Sequence, residues 1–470
     1  MPRLRTIPRS AWLALLLVLL VGGGIRAHQA THPQEELSQD ARSYTAIAQN
    51  LAKHHLYSGR TDGGPETRKA RQRALEKALH WPPFTPKVFA LAYEVSPGQH
   101  PWGRDDLDTL HWAQFAISTA TILAAFALGW ILTGAWTGVA AAAVVALYPP
   151  LAWGPSTLLS EPLGAFFVVS AFTALALAWR TRVLAWWWCA GALFGAVLLT
   201  RTDLMFVPVF CALLALAVIG ATAGWRRGAT SAALLLAGLA VVVLPWTAYA
   251  SRTADALVPV TNGGGSALFV GTYLPGNGST FDMKFAMRDE IVRRHPKFAD
   301  RPYTKIPATV VLDDVAARRP DLPRDEALSA AAKENLRRYA LGQPVAFAEM
   351  MLFKAGKMWS RYARGGQDKT QAQWVAVHLA IVLLAGFGLL WGTVRRRDPV
   401  LASILLALAI ATGVHTLAVA HGRYNLPLMP ILIAGGAAGW TMLLREWRAA
   451  REARRAVPAG ASAPPQRTAA

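Results

Sequence analysis

Apolar residues in this chain come in runs too long for the core of a soluble domain, separated by short polar turns and by two long hydrophilic stretches. The runs fall at residues 11–25, then near 111–133, 135–152, 157–179, 183–200, 203–224 and 229–250, and finally near 374–394, 399–419 and 424–444. At 1.5 Å per residue, such runs cross a bilayer as helices, so the pattern predicts an all-α polytopic membrane protein with about ten spans. Arg3, Arg5 and Arg9 precede the first run, and no small-x-small cleavage pattern follows Arg26, so we expect a retained anchor. The expected organisation is an N-terminus with the first span over 1–26, a first outer loop over 27–110 and spans two to seven over 111–250. A large outer loop over 251–373, spans eight to ten over 374–444 and a basic, partly disordered tail over 445–470 complete it.

Charge fixes the expected orientation. The short loops with Arg180 and Arg182, with Arg226 and Arg227 and with Arg395 to Arg397, and the Arg445 to Arg455 tail, all fall on one side if the N-terminus is cytoplasmic. Both long hydrophilic segments then fall outside. The formal charge of +20 would suggest nucleic acid in a soluble chain, but with 53% hydrophobic and 16% charged residues it reads as topology signal plus contact with anionic lipid or phosphate. We expect no nucleic-acid partner. Cys189 and Cys211 both sit inside apolar runs and imply no disulfide framework.

Ionisable groups at the edge of the hydrocarbon need partners or a function, and several lie at outer loop positions. Asp40 stands at the start of a segment with Tyr44, Ile47, Ala48 and Leu51 at helical spacing, which predicts an amphipathic surface helix. There Asp40 either caps the helix or serves as a base. Glu161, in Ser160-Glu161-Pro162, either complements a helix dipole or belongs to a site. Arg201 with Asp203 reads as a local ion pair or as part of a site, and Arg423 with Tyr424 as an interfacial cation with its belt partner or a phosphate-binding arginine. The Thr261-Asn262-Gly263-Gly264-Gly265 turn allows backbone amides to approach an anion closely. His54 and His55 lack metal-ligand spacing and there is no DxD pattern, so cofactors are unknown and a divalent metal, though possible, lacks a motif.

With these residues in view, the chain resembles the GT-C superfamily of membrane glycosyltransferases. Its nearest resemblance is to the glycosyltransferase 39 group of protein O-mannosyltransferases and lipid A aminoarabinose transferases. The resemblance runs in order through Asp40-Ala41 with Tyr44 and Asn50-Leu51, then Trp81-Pro82-Pro83-Phe84-Thr85-Pro86. It continues through Tyr148-Pro149-Pro150, Leu159-Ser160-Glu161-Pro162, Thr200-Arg201, Leu244-Pro245-Trp246, Asn262-Gly263-Gly264 and Arg423-Tyr424 with Pro427 and Pro430. Gln39 and Ala41 flank Asp40 where many relatives carry a second acid, and Arg201-Thr202 stands where Arg-Pro is usual.

The resemblance implies a GT-C-type bundle of about ten helices with an amphipathic first outer loop, in the inner or plasma membrane, its site on the outer face. The implied activity is hexosyl or pentosyl transfer, with inversion, from a polyprenyl-phosphate sugar donor to an unidentified extracytoplasmic acceptor in envelope glycan, lipid or protein glycosylation. Asp40 and Glu161 would be the catalytic carboxylates, and Arg201 and Arg423 would bind the donor phosphate. Tyr44, Asn262, Gly263, Gly264 and Tyr424 would line the cleft. Two other classes compete. A flippase or transporter of lipid-linked saccharides would need polar groups deep in the spans, which offer little beyond His378 and His415, and a scaffold would tolerate loss of the outer charges.

Overall fold

The computed structural model describes residues 6–34, 36–59, 68–96, 106–364, 367–369 and 371–456. The tail beyond residue 456, expected to be disordered, lies outside the described residues.

Among them, eight helices are long and apolar enough to cross a membrane, and two shorter apolar helices, Ala135–Leu147 and Leu184–Leu198, occupy the remaining expected positions. The protein is thus an all-helical polytopic membrane protein, with the helices where the apolar runs predict them. The long ones include Arg9–Thr31, Asp106–Thr133, Glu161–Thr181, Val207–Ala223, Trp225–Ala254, Ala372–Arg396 and Pro399–Leu417. The last, Met429–Ala456, continues well into the basic tail, farther than the apolar run ending near 444. The one strand pair described, Tyr362–Arg364 with Gln367–Lys369, is a short antiparallel hairpin before helix Ala372–Arg396.

Large apolar side chains lie exposed along these helices, such as Leu13, Leu17 and Leu20 on the first and Leu383, Leu384 and Phe387 on Ala372–Arg396. Lipid, not water, is the solvent that makes such surface stable. Between helices, packing relies on small residues: a Cβ on Gly238 would lie 2.2 Å from the carbonyl oxygen of Trp188, so the two backbones touch. The buried Arg26 sits in the first helix and donates to Ser118 Oγ at 2.8 Å, Ala146 O at 2.8 Å and Val145 O at 3.0 Å. Those carbonyls end helix Ala135–Leu147, where a cation complements the helix dipole.

The first hydrophilic segment forms helix Gln39–His54, whose apolar face of Ala41, Tyr44, Ile47 and Ala48 is buried. Ala41, Tyr44 and Ala48 pack with Phe89, Ala90 and Tyr93 of helix Phe84–Val95, so the expected amphipathic helix forms and spends its apolar face on protein. The second hydrophilic segment folds into short helices around Met283, Ile291, Val311 and Leu328, a small separate core. His54 and His55 are exposed.

Candidate active site

Five chain segments bring charged side chains to the same end of the helix bundle. Helix Gln39–His54 delivers Asp40 in its first turn. Ser38 is the residue that caps this helix, its Oγ accepting from the Ala41 N–H at 3.2 Å, which corrects the capping reading of Asp40. Released from that duty, the Asp40 carboxylate pairs with Arg423 Nη2. Arg423 lies in the turn Gly422–Leu428, whose tight 3-10 geometry carries the chain from helix Pro399–Leu417 into helix Met429–Ala456. With 18% of its side chain exposed, Arg423 is a partly buried, ion-paired residue and not a freely snorkelling surface cation.

Glu161 opens helix Glu161–Thr181 and is buried at 5% exposure. Its Oε1 lies 3.6 Å from Arg423 Nε and 3.3 Å from Arg201 Nη1. Arg201 follows helix Leu184–Leu198 and turns its fork on Asp203, with Nε–Oδ1 at 3.2 Å and Nη2–Oδ2 at 2.9 Å. The local Arg201–Asp203 pair read from the sequence therefore exists, and it is one link of a longer line. His415 Nε2, from helix Pro399–Leu417, reaches Asp203 Oδ2 at 2.8 Å. The charged groups run Asp40, Arg423, Glu161, Arg201, Asp203 and then His415.

Alternation of sign along that line is what lets charge be buried, since an isolated ion in so dry a place would cost several kcal/mol. Burial alone would lower the Arg201 pKa, but Asp203 and Glu161 outweigh it and hold the guanidinium above its ordinary value, permanently charged. Tyr424 lies among the cations, stacked on His415 at 4.5 Å with 5.4 Å from its ring to each of Arg201 and Arg423. Tyr44 stands beside the line, hydrogen-bonded to Ser160 next to Glu161, and burial pushes its phenol pKa up, with Asp40 and Glu161 adding to the shift.

Glu161 Oε2 is buried and has no hydrogen-bond partner among the described residues. Glu161 and Arg423 line a cavity of ≈ 30 Å³ together with Arg26, Ser118, Trp153 and Thr157. On that measure one water needs about 10–15 Å³, so the cavity has room for roughly two.

Of the residues singled out in the sequence, Asp40, Glu161, Arg201, Arg423, Tyr424 and Tyr44 meet here. The glycine turn does not join the charged line. Asn262 donates from its backbone N–H to Leu79 O at 3.1 Å and from Nδ2 to Glu76 O at 2.9 Å, tying the turn to helix Arg68–Ala78 and the residue after it. The positive φ of +98° at Gly263 explains one glycine, and a Cβ there would strike His80. The anion expected at the amides is internal: the Gly265 N–H donates to Asp325 Oδ1 at 3.0 Å. Sequence reasoning assigned no role to His415, whose available signal was a titratable residue near the end of an apolar run.

No protein-family model and no curated protein matches the chain. Solved structures do. The AglB oligosaccharyltransferase of Archaeoglobus fulgidus, in complex with an inhibitory peptide and a dolichol-phosphate, superposes with a TM-score of 0.55 at 14% identity over 97% of this chain and 52% of that one. An Archaeoglobus fulgidus oligosaccharyltransferase in the apo form gives 0.52 at 15% identity over 97% of this chain and 53% of that one. The chain shares the fold of these oligosaccharyltransferase structures. It spans about half the length of these solved structures. ArnT from Cupriavidus metallidurans bound to undecaprenyl phosphate superposes with a TM-score of 0.39 at 17% identity over 92% of this chain and 78% of that one. Within that fold, the charged line from Asp40 to His415 is the candidate site of this chain.

As to metals, no group of three or more His, Cys, Asp or Glu among the described residues is placed to hold an ion. The carboxylates that approach one another are separated by guanidiniums. Among the described residues, this donor set does not fit a metal.

Proposed function

We propose that this protein is a membrane glycosyltransferase that moves a sugar from a polyprenyl-phosphate donor to an extracytoplasmic acceptor, with inversion at the anomeric carbon. The observation that carries the reading is Arg423, a single cation shared by Asp40 and Glu161. A lipid phosphate competes with Asp40 for such a guanidinium, while Glu161 keeps its hold on Nε. As the phosphate draws Arg423 away, Asp40 loses its counter-ion and becomes a free base.

The chemistry then balances without further groups. Asp40 takes the proton from an acceptor hydroxyl or amine as its heteroatom attacks the anomeric carbon. The bond from that carbon to the phosphate oxygen breaks, and the electron pair leaves with the lipid phosphate. Arg423 and Arg201 stabilise the charge that grows on the leaving oxygen, and the carboxylates of Glu161 and Asp203 keep the two guanidiniums aimed. The fold adds support, because the AglB structure it resembles holds a dolichol-phosphate and an inhibitory peptide. The short-loop arginines support an outward-facing site with both termini cytoplasmic. Acceptor contacts would come from the outer segment over 282–373.

The test is transfer by the purified full chain from a panel of labelled polyprenyl-phosphate hexoses and pentoses, with envelope glycans analysed after deletion to name the acceptor. Transfer of label, and loss of the same sugar on deletion, is the expected outcome. An unchanged envelope together with no transfer from any donor would overturn the reading.

A further inference from the structure

The transfer reading uses Arg201 and Arg423 but leaves His415 without a task. Its helix, Pro399–Leu417, belongs to the bundle, and its ring is buried at 4% exposure. His415 Nε2 lies 2.8 Å from Asp203 Oδ2 across 212 residues of chain. A carboxylate can only accept, so Nε2 carries the proton and donates. The remaining groups that face the imidazole are Tyr424, stacked on it at 4.5 Å and 14°, and the carbonyl of Val419, 3.4 Å from Nδ1. Arg201 and His421 stand behind them, Arg201 on Asp203 and His421 5.9 Å from the Tyr424 ring.

The Arg201–Asp203 pair does not need this histidine to form, because Asp203 already meets Arg201 with contacts of 3.2 and 2.9 Å. Bringing a further polar group from another helix adds desolvation cost, so its return is sought in geometry. Arg201 spends Nε and Nη2 on Asp203, which leaves Nη1 to face Glu161 at 3.3 Å. The direction of Nη1 is therefore set by the plane of the Asp203 carboxylate. Asp203 sits in a three-residue turn, Thr202–Leu204, where its χ angles alone would not fix that plane. His415 pins Oδ2. The helix that carries His415 ends at Leu417 and reaches the Gly422–Leu428 turn, with Arg423, across four residues. One segment thus holds Arg423 directly and Arg201 by way of Asp203.

We propose that His415 is a positioning residue that acts through Asp203 to set the spacing of the Arg201 and Arg423 guanidiniums, so that both can grip one lipid phosphate. The inference rests on the transfer reading, since it needs that phosphate. A planar guanidinium gives its full benefit only when aimed, and a partner that orients a binding group is commonly worth about 10–100-fold in affinity.

Binding of undecaprenyl phosphate to the purified full chain tests it, with thermal unfolding measured alongside. His415→Ala and His415→Leu should weaken binding about 10-fold or more, while His415→Gln, which keeps a donor near the Nε2 position, should recover most of it. Adding His415→Ala to Arg201→Ala should weaken binding no further than Arg201→Ala alone, because the histidine acts only through that arginine. Unchanged affinity in His415→Ala, equal binding by the Leu and Gln variants, or additive losses in the double variant would overturn the proposal. Failure of the unaltered chain to bind undecaprenyl phosphate would overturn the transfer reading, and this inference with it.

Discussion

Arg423 and Asp40 are 383 residues apart in the chain and form an ion pair, one from the turn before the last helix and the other from the first loop. The pair ties the beginning of the fold to its end at the place where Glu161 also arrives. Because both partners are at least partly accessible, at 18% and 23%, an anion arriving from solvent or from the lipid surface can reach the pair and exchange with it.

Arg201 has a structural cost that can be measured without substrate. It stands between Glu161 and Asp203, with side-chain exposures of 7% for Arg201, 7% for Glu161 and 19% for Asp203. Arg201→Ala leaves two carboxylates short of their cation, and breaking a buried pair in this way costs about 3–5 kcal/mol. Unfolding in detergent should show that loss, and adding Glu161→Gln and Asp203→Asn should restore part of it.

Gly164 lies one turn after Glu161, where a Cβ would come within 2.9 Å of Arg201 Cδ and 3.3 Å of its Cγ. Those atoms are the middle of a buried side chain whose head is held by ion pairs, so the helix is kept only if the arginine shifts and its contacts with Glu161 and Asp203 loosen. Alanine is also the better helix former by about 1 kcal/mol. Even so, Gly164→Ala should lower the unfolding temperature, as the Glu161 and Asp203 contacts loosen, and lower transfer by about 10-fold or more, since displacing an aimed group by a fraction of an ångström is costly.

Lys354 gives a pH dependence separate from the site. Lys354 is 2% exposed, and its ammonium donates to Gly271 O at 2.8 Å and Ala418 O at 2.6 Å, clamping the second hydrophilic segment onto the end of helix Pro399–Leu417. Burial, with a smaller contribution from Lys357, lowers its pKa from 10.5 to about 7. In the unfolded chain the amine keeps its ordinary value, so between these two values the unfolded state binds the extra proton. Stability therefore rises with pH across that window, by at most about 1.4 kcal/mol per unit for one proton. The difference in unfolding free energy between the unaltered chain and Lys354→Met should grow in favour of lysine from about pH 7 upward, and be flat below it.

How much of this the sequence discloses depends on the range of the interaction. The spans follow from hydropathy and the 1.5 Å rise of a helix, both local, and their positions emerge near the predicted ones. Asp40, Glu161, Arg201 and Arg423 are legible as a group because the alternation of short loops assigns them to one side, although nothing local says that Arg423 chooses Asp40. The glycine turn shows the limit. Its amides suit an anion, and they have one, but the anion is the carboxylate of Asp325, 60 residues beyond Gly265. Local patterning can show that a cradle exists and cannot show which acid fills it. His415 and Lys354 escape for the same reason, since each gains its role from backbone or carboxylate groups distant in the chain.

The most direct test of the central claim is transfer from a labelled polyprenyl-phosphate sugar by the purified chain, compared with Asp40→Asn and Glu161→Gln at matched folding. Removing a general base typically costs about 10²–10⁴-fold, and Asp40→Asn should lose transfer of that order, with Glu161→Gln also impaired. Full transfer by both variants, with whichever donor the unaltered chain uses, would contradict it.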